Sequence, residues 1–376
     1  MLLLSFSLSA ALTLFLVRWA KGSWQRSADH DLGGPQKFHG VAVPRVGGVG
    51  IAASLLFAVV FADWLYGESK VQLGLMLMAC ALPAFAAGLL EDITKAVSPT
   101  WRLWATALSA ILGFWLLGAQ IRHTDIPGLD WLVSWPLGAL VVTVFAVVGI
   151  ANSVNIIDGF NGLASMCVAI MLTALAYVAF QVGDTMVAML ALAGIGAVLG
   201  FFIWNFPAGL IFLGDGGAYF LGFVVAELSI LLLARNPSVS PLFPLLVCIY
   251  PVFETLFSIY RRKFLRAVPP SIPDGIHLHS LIYRRVLRWA SGDSNLRSLV
   301  RRNSMTSPFL WLLCMLSVVP AVLFWQNSVL LSLCLLLFSV CYVLLYWRIV
   351  RFKSPRWMRA FASRPVPLRR GDERRR

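Results

Sequence analysis

The chain of 376 residues is 59% hydrophobic and only 13% charged, against about 45–50% and roughly 25% in soluble globular domains, which excludes an ordinary water-soluble fold. A formal net charge of +14 would suit nucleic acid, but the basic residues fill the gaps between long apolar runs, where membrane topology puts them, so that class is set aside. Runs of about 20 apolar residues recur over most of the length, each long enough to cross a bilayer core of about 30 Å as a helix.

In chain order, these runs predict helices over 2–17, 46–66, 71–90, 102–120, 132–152, 163–182, 185–204, 217–234, 240–259, 308–326 and 328–347. The expected fold class is all-α, a polytopic integral membrane protein with about 11 transmembrane helices. The first run opens Met1-Leu2-Leu3-Leu4 with no basic residue before it, and Arg18 and Lys21 follow it, so it reads as a retained span rather than a cleaved signal. Asn205 and Pro207 are expected to end the helix entering 202–213. Cys80, Cys167, Cys248, Cys314, Cys334 and Cys341 all fall in apolar runs without a C-x-x-C pair. They read as small apolar side chains, not as a zinc site or a disulfide framework.

Of the 31 Lys and Arg residues, all but Lys70, Arg122 and Arg235 fall on one side of an eleven-span arrangement. Basic residues stay cytoplasmic, which predicts a periplasmic N-terminus and a cytoplasmic C-terminus. The loops 18–45, 91–102, 153–162, 205–216 and 260–307 are then cytoplasmic parts of a single catalytic domain, 1–347, followed by a basic tail, 348–376. The 260–307 segment reads as partly amphipathic at the interface. The tail reads as solvated or bound to lipid headgroups.

Five polar clusters converge on that face. Lys37 precedes Arg45-Val46-Gly47-Gly48, a basic turn that can bring backbone close to an anion or serve as a topogenic loop. Glu91-Asp92, with Lys95 and Arg102, can share a proton, can divide the work of base and cation ligand, or can simply cap an interfacial helix. Asn152, Asn155, Asp158, Gly159, Asn161 and Gly162 crowd one short gap with the hard oxygen ligands that Mg²⁺ takes. Asp215, framed by glycines before an apolar helix, can be an N-cap or a metal carboxylate beside a phosphate-attracting helix start. His277 and His279, followed by Arg284 and Arg285, suit an extended loop facing a pyrophosphate better than a zinc site. Together these groups describe phosphate chemistry with a divalent cation. The P-loop and nucleophile-elbow motifs are both missing from the sequence, which argues against those two classes. Glu227, an acid inside an apolar span, has no motif around it and stays open.

The stretches PRVGG (44–48), GLLEDITK (88–95), NSVNIIDGFNGLAS (152–165), NFPAGLIFLGDGG (205–217) and DGIHLH (274–279) resemble, in order, the polyprenyl-phosphate N-acetylhexosamine-1-phosphate transferase superfamily, over roughly residues 30–290. The resemblance implies ten or eleven helices around a cytoplasmic cleft in the bacterial inner membrane. It implies Mg²⁺, or Mn²⁺ in its place, with Asn155 and Asp215 as ligands. It implies a reaction of UDP-HexNAc with polyprenyl phosphate that releases UMP and starts a surface polysaccharide. By motif position the expected catalytic residues are Glu91, Asp92, Asp158 and Asp215. The expected substrate-binding residues are Lys37, Arg45, Lys95, Arg102, Asn152, Asn161, His277, His279, Arg284 and Arg285. Glu91 departs from the family's Asp-Asp pair, Asn161 stands where an Asp is frequent, and Ser280 follows His279 where many members have another His. Membrane lipids are expected partners, nucleic acid is not, and a homodimer is compatible with the resemblance. Two other classes remain in view: a lipid-linked sugar transporter or flippase, and a catalytically degenerate assembly partner.

Overall fold

The computed structural model describes residues 1–23, 43–66, 72–265, 276–287 and 296–351. Lys37 and the tail beyond 351 lie outside the described residues. The helices are α1 (Leu2–Ser23), α2 (Gly47–Tyr66), α3 (Gln72–Thr94), α4 (Pro99–Leu112), α5 (Leu129–Val133), α6 (Pro136–Ile157) and α7 (Leu163–Gln181). They continue with α8 (Thr185–Asn205), α9 (Gly214–Arg235), α10 (Leu242–Val247), α11 (Ile249–Tyr260), α12 (Leu278–Leu281), α13 (Leu296–Leu323) and α14 (Ser328–Val350).

The protein is a polytopic helical membrane protein, with nine helices among the described residues long and apolar enough to cross a bilayer. Two of the eleven predicted spans fall outside this set. Of α2, which is 20 residues long, only Gly47–Ala62 counts, as a shorter apolar helix. The predicted span 240–259 is two helices, α10 and α11, meeting at Cys248. Pro251 explains the break: it has no N–H to donate to the carbonyl of Val247 four residues back.

Other helices run past their predicted ends. α3 continues to Thr94, α6 to Ile157, α9 begins at Gly214 and α13 at Leu296. An apolar run stops at the first polar side chain, but the backbone ladder does not. Glu91, Asp92 and Asn155 therefore sit on helices rather than in loops, and the predicted 153–162 loop shrinks to the turn after Ile157.

α9 is the axis of the bundle. It is buried from Gly214 to Leu232 and is flanked by α2, α3, α6 and α7. Small residues make the close approach feasible: a Cβ on Gly88 of α3 would lie 2.6 Å from the backbone nitrogen of Gly216. This contact brings the last turn of α3 against the first turn of α9, which is where the site forms.

Candidate active site

The segment before α2 and the segment before α9 are joined by backbone hydrogen bonds. Phe212 N donates to Pro44 O at 2.8 Å, Gly47 N to Phe212 O at 3.0 Å and Gly48 N to Leu213 O at 3.0 Å. The chain then turns at Gly214 with φ +77, and a Cβ there would lie 2.2 Å from Arg45 O and 2.5 Å from Asp92 Oδ2. Only glycine meets both the left-handed backbone and the lack of space.

The turn places Asp215 in the first turn of α9. Asp92, buried in the last turn of α3, accepts from Gly216 N at 2.9 Å. It thereby satisfies one of the orphan N–H groups at the start of α9 from a different helix. Arg45 bridges the two acids, with Nε 3.5 Å from Asp92 Oδ1 and Nη2 donating to Asp215 Oδ1 at 3.2 Å. Arg102 pairs with Asp215 Oδ2. It also lies over the ring of Tyr219, 5.9 Å from the centroid, and Tyr219 donates from its hydroxyl to Asn152 Oδ1 at 3.2 Å. Asn152 is thus a support behind Arg102, and Arg102 Nε is buried without a hydrogen-bond partner among the described residues.

The opposite wall is the end of α6 and the turn after it. Asn155, Asp158, Gly159, Phe160 and Asn161 line the cavity. Burial pushes the Asp158 carboxyl up to about 7, with Arg45 opposing and Asp92 reinforcing the shift. The turn is held by amides. Asn205 accepts from Gly162 N at 2.6 Å and donates to Ile211 O at 2.7 Å. Asn161 donates to Pro207 O at 3.3 Å and to Ser304 Oγ at 3.1 Å, and its own N–H is taken by Asn303 at 2.8 Å. The side chain of Asn161 is therefore a strut between α8 and α13 as well as part of the wall.

The third wall carries the imidazoles. His277 is the extended residue ahead of α12, and His279 lies in that short helix, so the segment is only partly the extended loop predicted. The two rings still stack, with centroids 5.0 Å apart and planes 11° apart. His279 packs edge-on against Phe160. His277 Nδ1 lies 3.1 Å from Glu254 Oε1, within hydrogen-bond distance.

The cavity enclosed by these walls has a volume of about 350 Å³ and is lined by Arg45, Arg102, Asn155, Asp158, Asp215, His277 and His279, among others. Six expected residues among those described are not in its lining: Asp92 and Asn152, which stand behind the arginines, and four more. Glu91 turns its carboxylate onto Val97 N at 2.8 Å, closing the turn after α3. Lys95 is exposed at φ +56, and Arg284 is also exposed. Arg285 donates to the carbonyls of Ile349 and Val350, capping α14. Asn205, Ser280 and Asn303 line the cavity although none was expected to bind. Asn205 opens a motif stretch and Ser280 directly follows one; Asn303 carries no such signal.

The lining supplies hard oxygen donors from Asn155, Asp158 and Asp215, beside two guanidinium groups and two imidazoles. That donor set fits Mg²⁺, which binds through one or two carboxylates and completes its shell with water and phosphate oxygens. Among the described residues no group of three His, Cys, Asp or Glu side chains forms a complete metal cage, so a cation here would depend on substrate oxygens.

Residues 74–233 match the family model of glycosyl transferase family 4. The chain is 31% identical to a probable undecaprenyl-phosphate N-acetylglucosaminyl 1-phosphate transferase of Bacillus subtilis, over 65% of this chain and 66% of that protein. It is 27% identical to an undecaprenyl-phosphate alpha-N-acetylglucosaminyl 1-phosphate transferase of Yersinia pestis, over 84% of each chain. A phospho-N-acetylmuramoyl-pentapeptide-transferase of Lactococcus lactis is 34% identical over 39% of this chain and 44% of its own length.

Proposed function

Because the chain belongs to the polyprenyl-phosphate N-acetylhexosamine-1-phosphate transferase superfamily, matched by the glycosyl transferase family 4 model, we propose that it moves a HexNAc-1-phosphate from a UDP-sugar onto a polyprenyl phosphate such as undecaprenyl phosphate. UMP is released, and the product starts a cell-surface polysaccharide. The reaction belongs on the cytoplasmic face of the bacterial inner membrane, where UDP-sugars are made and where the basic loops point by charge.

One observation carries the reading: Arg45 and Arg102 converge on Asp215 at the start of α9, in a cavity also lined by Asn155, Asp158 and the two histidines. In the step proposed, an oxygen of the lipid phosphate attacks the β-phosphorus of the UDP-sugar. A new P–O bond forms, the bond to the bridging oxygen breaks, and UMP carries away the electron pair. Arg45 and Arg102 offset the charge on the diphosphate, and His277 and His279 donate to its oxygens. Asp158, which lines the cavity, is placed to take a proton from the lipid phosphate. Asp92 is buried behind Arg45 and orients it; the base role expected for the Glu91–Asp92 pair passes to Asp158. Asn155 and Asp215 would hold Mg²⁺, which supplies charge neutralisation for the leaving phosphate.

The test is a panel of UDP-sugars offered with polyprenyl phosphate to the purified full-length protein, read as UMP release. At least one UDP-HexNAc is expected to turn over. Absence of UMP with every member of the panel overturns the proposal.

A further inference from the structure

The buried acid Glu254 of α11 is not part of any motif, yet it touches the site. Its Oε1 lies 3.1 Å from His277 Nδ1 and accepts from Leu278 N at 2.8 Å, and its Oε2 accepts from Tyr342 of α14 at 2.7 Å. About two turns along the same helix direction, Arg261 donates to Ile276 O and to the Tyr346 hydroxyl. Phe257 packs edge-on between Tyr342 and Tyr346, with centroids 5.6 and 4.8 Å away. The segment 276–278 is thus gripped by Glu254 of α11 and by Arg261 just after its end, and α14 braces both grips. A bare carboxylate in a bundle interior costs several kcal/mol unless its lone pairs are used, and here three polar groups face them.

We propose that Glu254 is the positioning residue of the candidate site: it fixes the His277 imidazole in the tautomer with the proton on Nδ1, aims Nε2 at the phosphates in the cavity, and balances the charge the ring takes on there. A carboxylate behind a histidine does this wherever ring orientation and charge both matter. The proposal rests on the transferase reading for its activity arm but not for its geometric arm.

The activity arm is a double-mutant cycle on UMP release. Glu254→Gln is expected to lower kcat about 10–100-fold with a melting temperature close to that of the parent. Adding it to His277→Ala is expected to cost nothing further, because the residue it acts through is gone. Losses that multiply instead mean a merely structural role and overturn the proposal. Tyr342→Phe removes one donor and is expected to give a smaller loss in the same direction. The geometric arm is ¹⁵N-histidine NMR of the full-length protein, with the His277 signal assigned by its loss in His277→Gln. Protonated Nδ1 is expected at neutral pH, and it should be lost or exchanged in Glu254→Ala. An unprotonated Nδ1 in the parent chain overturns the proposal even if no UDP-sugar turns over, whereas a protonated Nδ1 in a chain that releases no UMP sinks only the transferase reading.

Discussion

Arg45 donates from Nη2 to Asp215 Oδ1 at 3.2 Å, joining residues 170 positions apart, while Arg102 holds the other oxygen of the same carboxylate. Asp215 thus restrains two cations that the phosphates would otherwise bind outright. Asp215→Asn releases both arginines but removes a charged oxygen donor. The expected result is a split: kcat for UMP release falls by about 100-fold or more, while KM for the UDP-sugar stays level or falls. EDTA is expected to abolish turnover, and Mg²⁺ or Mn²⁺ to restore it. Steady-state kinetics on the purified variant decide this, and a kcat within about threefold of the parent rules the role out.

Two glycines with similar backbones make a controlled comparison. Gly214 at φ +77 has Arg45 O and Asp92 Oδ2 where a Cβ would go, whereas Gly118 at φ +66 has nothing within 4 Å. Alanine at Gly118 costs only the left-handed strain, about 1–2 kcal/mol. Alanine at Gly214 must also push Asp92 and the Arg45 backbone aside, displacing the groups that place Asp215. Gly214→Ala is expected to lose UMP release at least about 100-fold, and Gly118→Ala to keep it within about twofold despite a lower melting temperature. Equal losses in the two variants would show that strain alone accounts for the effect.

The adjacent acids Glu91 and Asp92 point to different tasks. Glu91 accepts from Val97 N in its own turn, while Asp92 holds Gly216 N and faces Arg45. Glu91→Gln keeps an oxygen for Val97 and is expected to cost less than about tenfold in kcat. Asp92→Asn removes the charge that orients Arg45 and is expected to cost about 100-fold. A kinetic comparison of the two variants checks the order, and Glu91→Gln as the weaker enzyme would reverse the assignment.

The sequence made the membrane class, the helix positions and most of the cavity wall readable, because apolar runs and glycine-framed polar clusters are local signals. Partners that meet across the bundle were not readable. Glu254 lies inside a predicted span and reaches His277 only through the fold, although the rule that flags an intramembrane acid applied to it as much as to Glu227. Glu227 itself is fully buried, with no hydrogen-bond partner among the described residues and with Gly113 of the wide turn after α4 against its carboxyl. Asn303 grips the 158–162 turn from 142 residues away. Arg285 looked like a phosphate ligand by composition, yet it donates to carbonyls at the end of α14. Charge type is legible in a sequence, but the direction of a side chain is set by tertiary packing.

Asp184, in the turn between α7 and α8, offers a test of stability at the end of α8 opposite the cavity. It caps α8 through Val187 N at 3.2 Å and accepts from Arg235 Nε at 2.7 Å and Asn236 Nδ2 at 3.1 Å. Burial alone would raise this carboxyl, but the Arg235, Val187 and Asn236 bonds outweigh it and hold it below the usual range. The folded chain therefore binds the Asp184 proton less tightly than the unfolded chain. Its contribution to stability is complete above an unfolded pKa of about 3.9 and is lost as pH falls through the lower folded value. Removing one partner of a buried pair costs about 3–5 kcal/mol, but Arg235 is 47% exposed and can rehydrate, which favours a smaller figure. Asp184→Asn is expected to destabilise the protein by about 1–2 kcal/mol at pH 7, with the gap to the parent narrowing below about pH 3. Unfolding in detergent across that pH range measures it, and a gap independent of pH would show that the cap geometry matters and the charge does not. Asp184 and the cavity-lining Asn205 lie at opposite ends of α8, about 30 Å apart at 1.5 Å per residue. UMP release at pH 7 should therefore stay within about twofold of the parent, which separates this clamp from the chemistry.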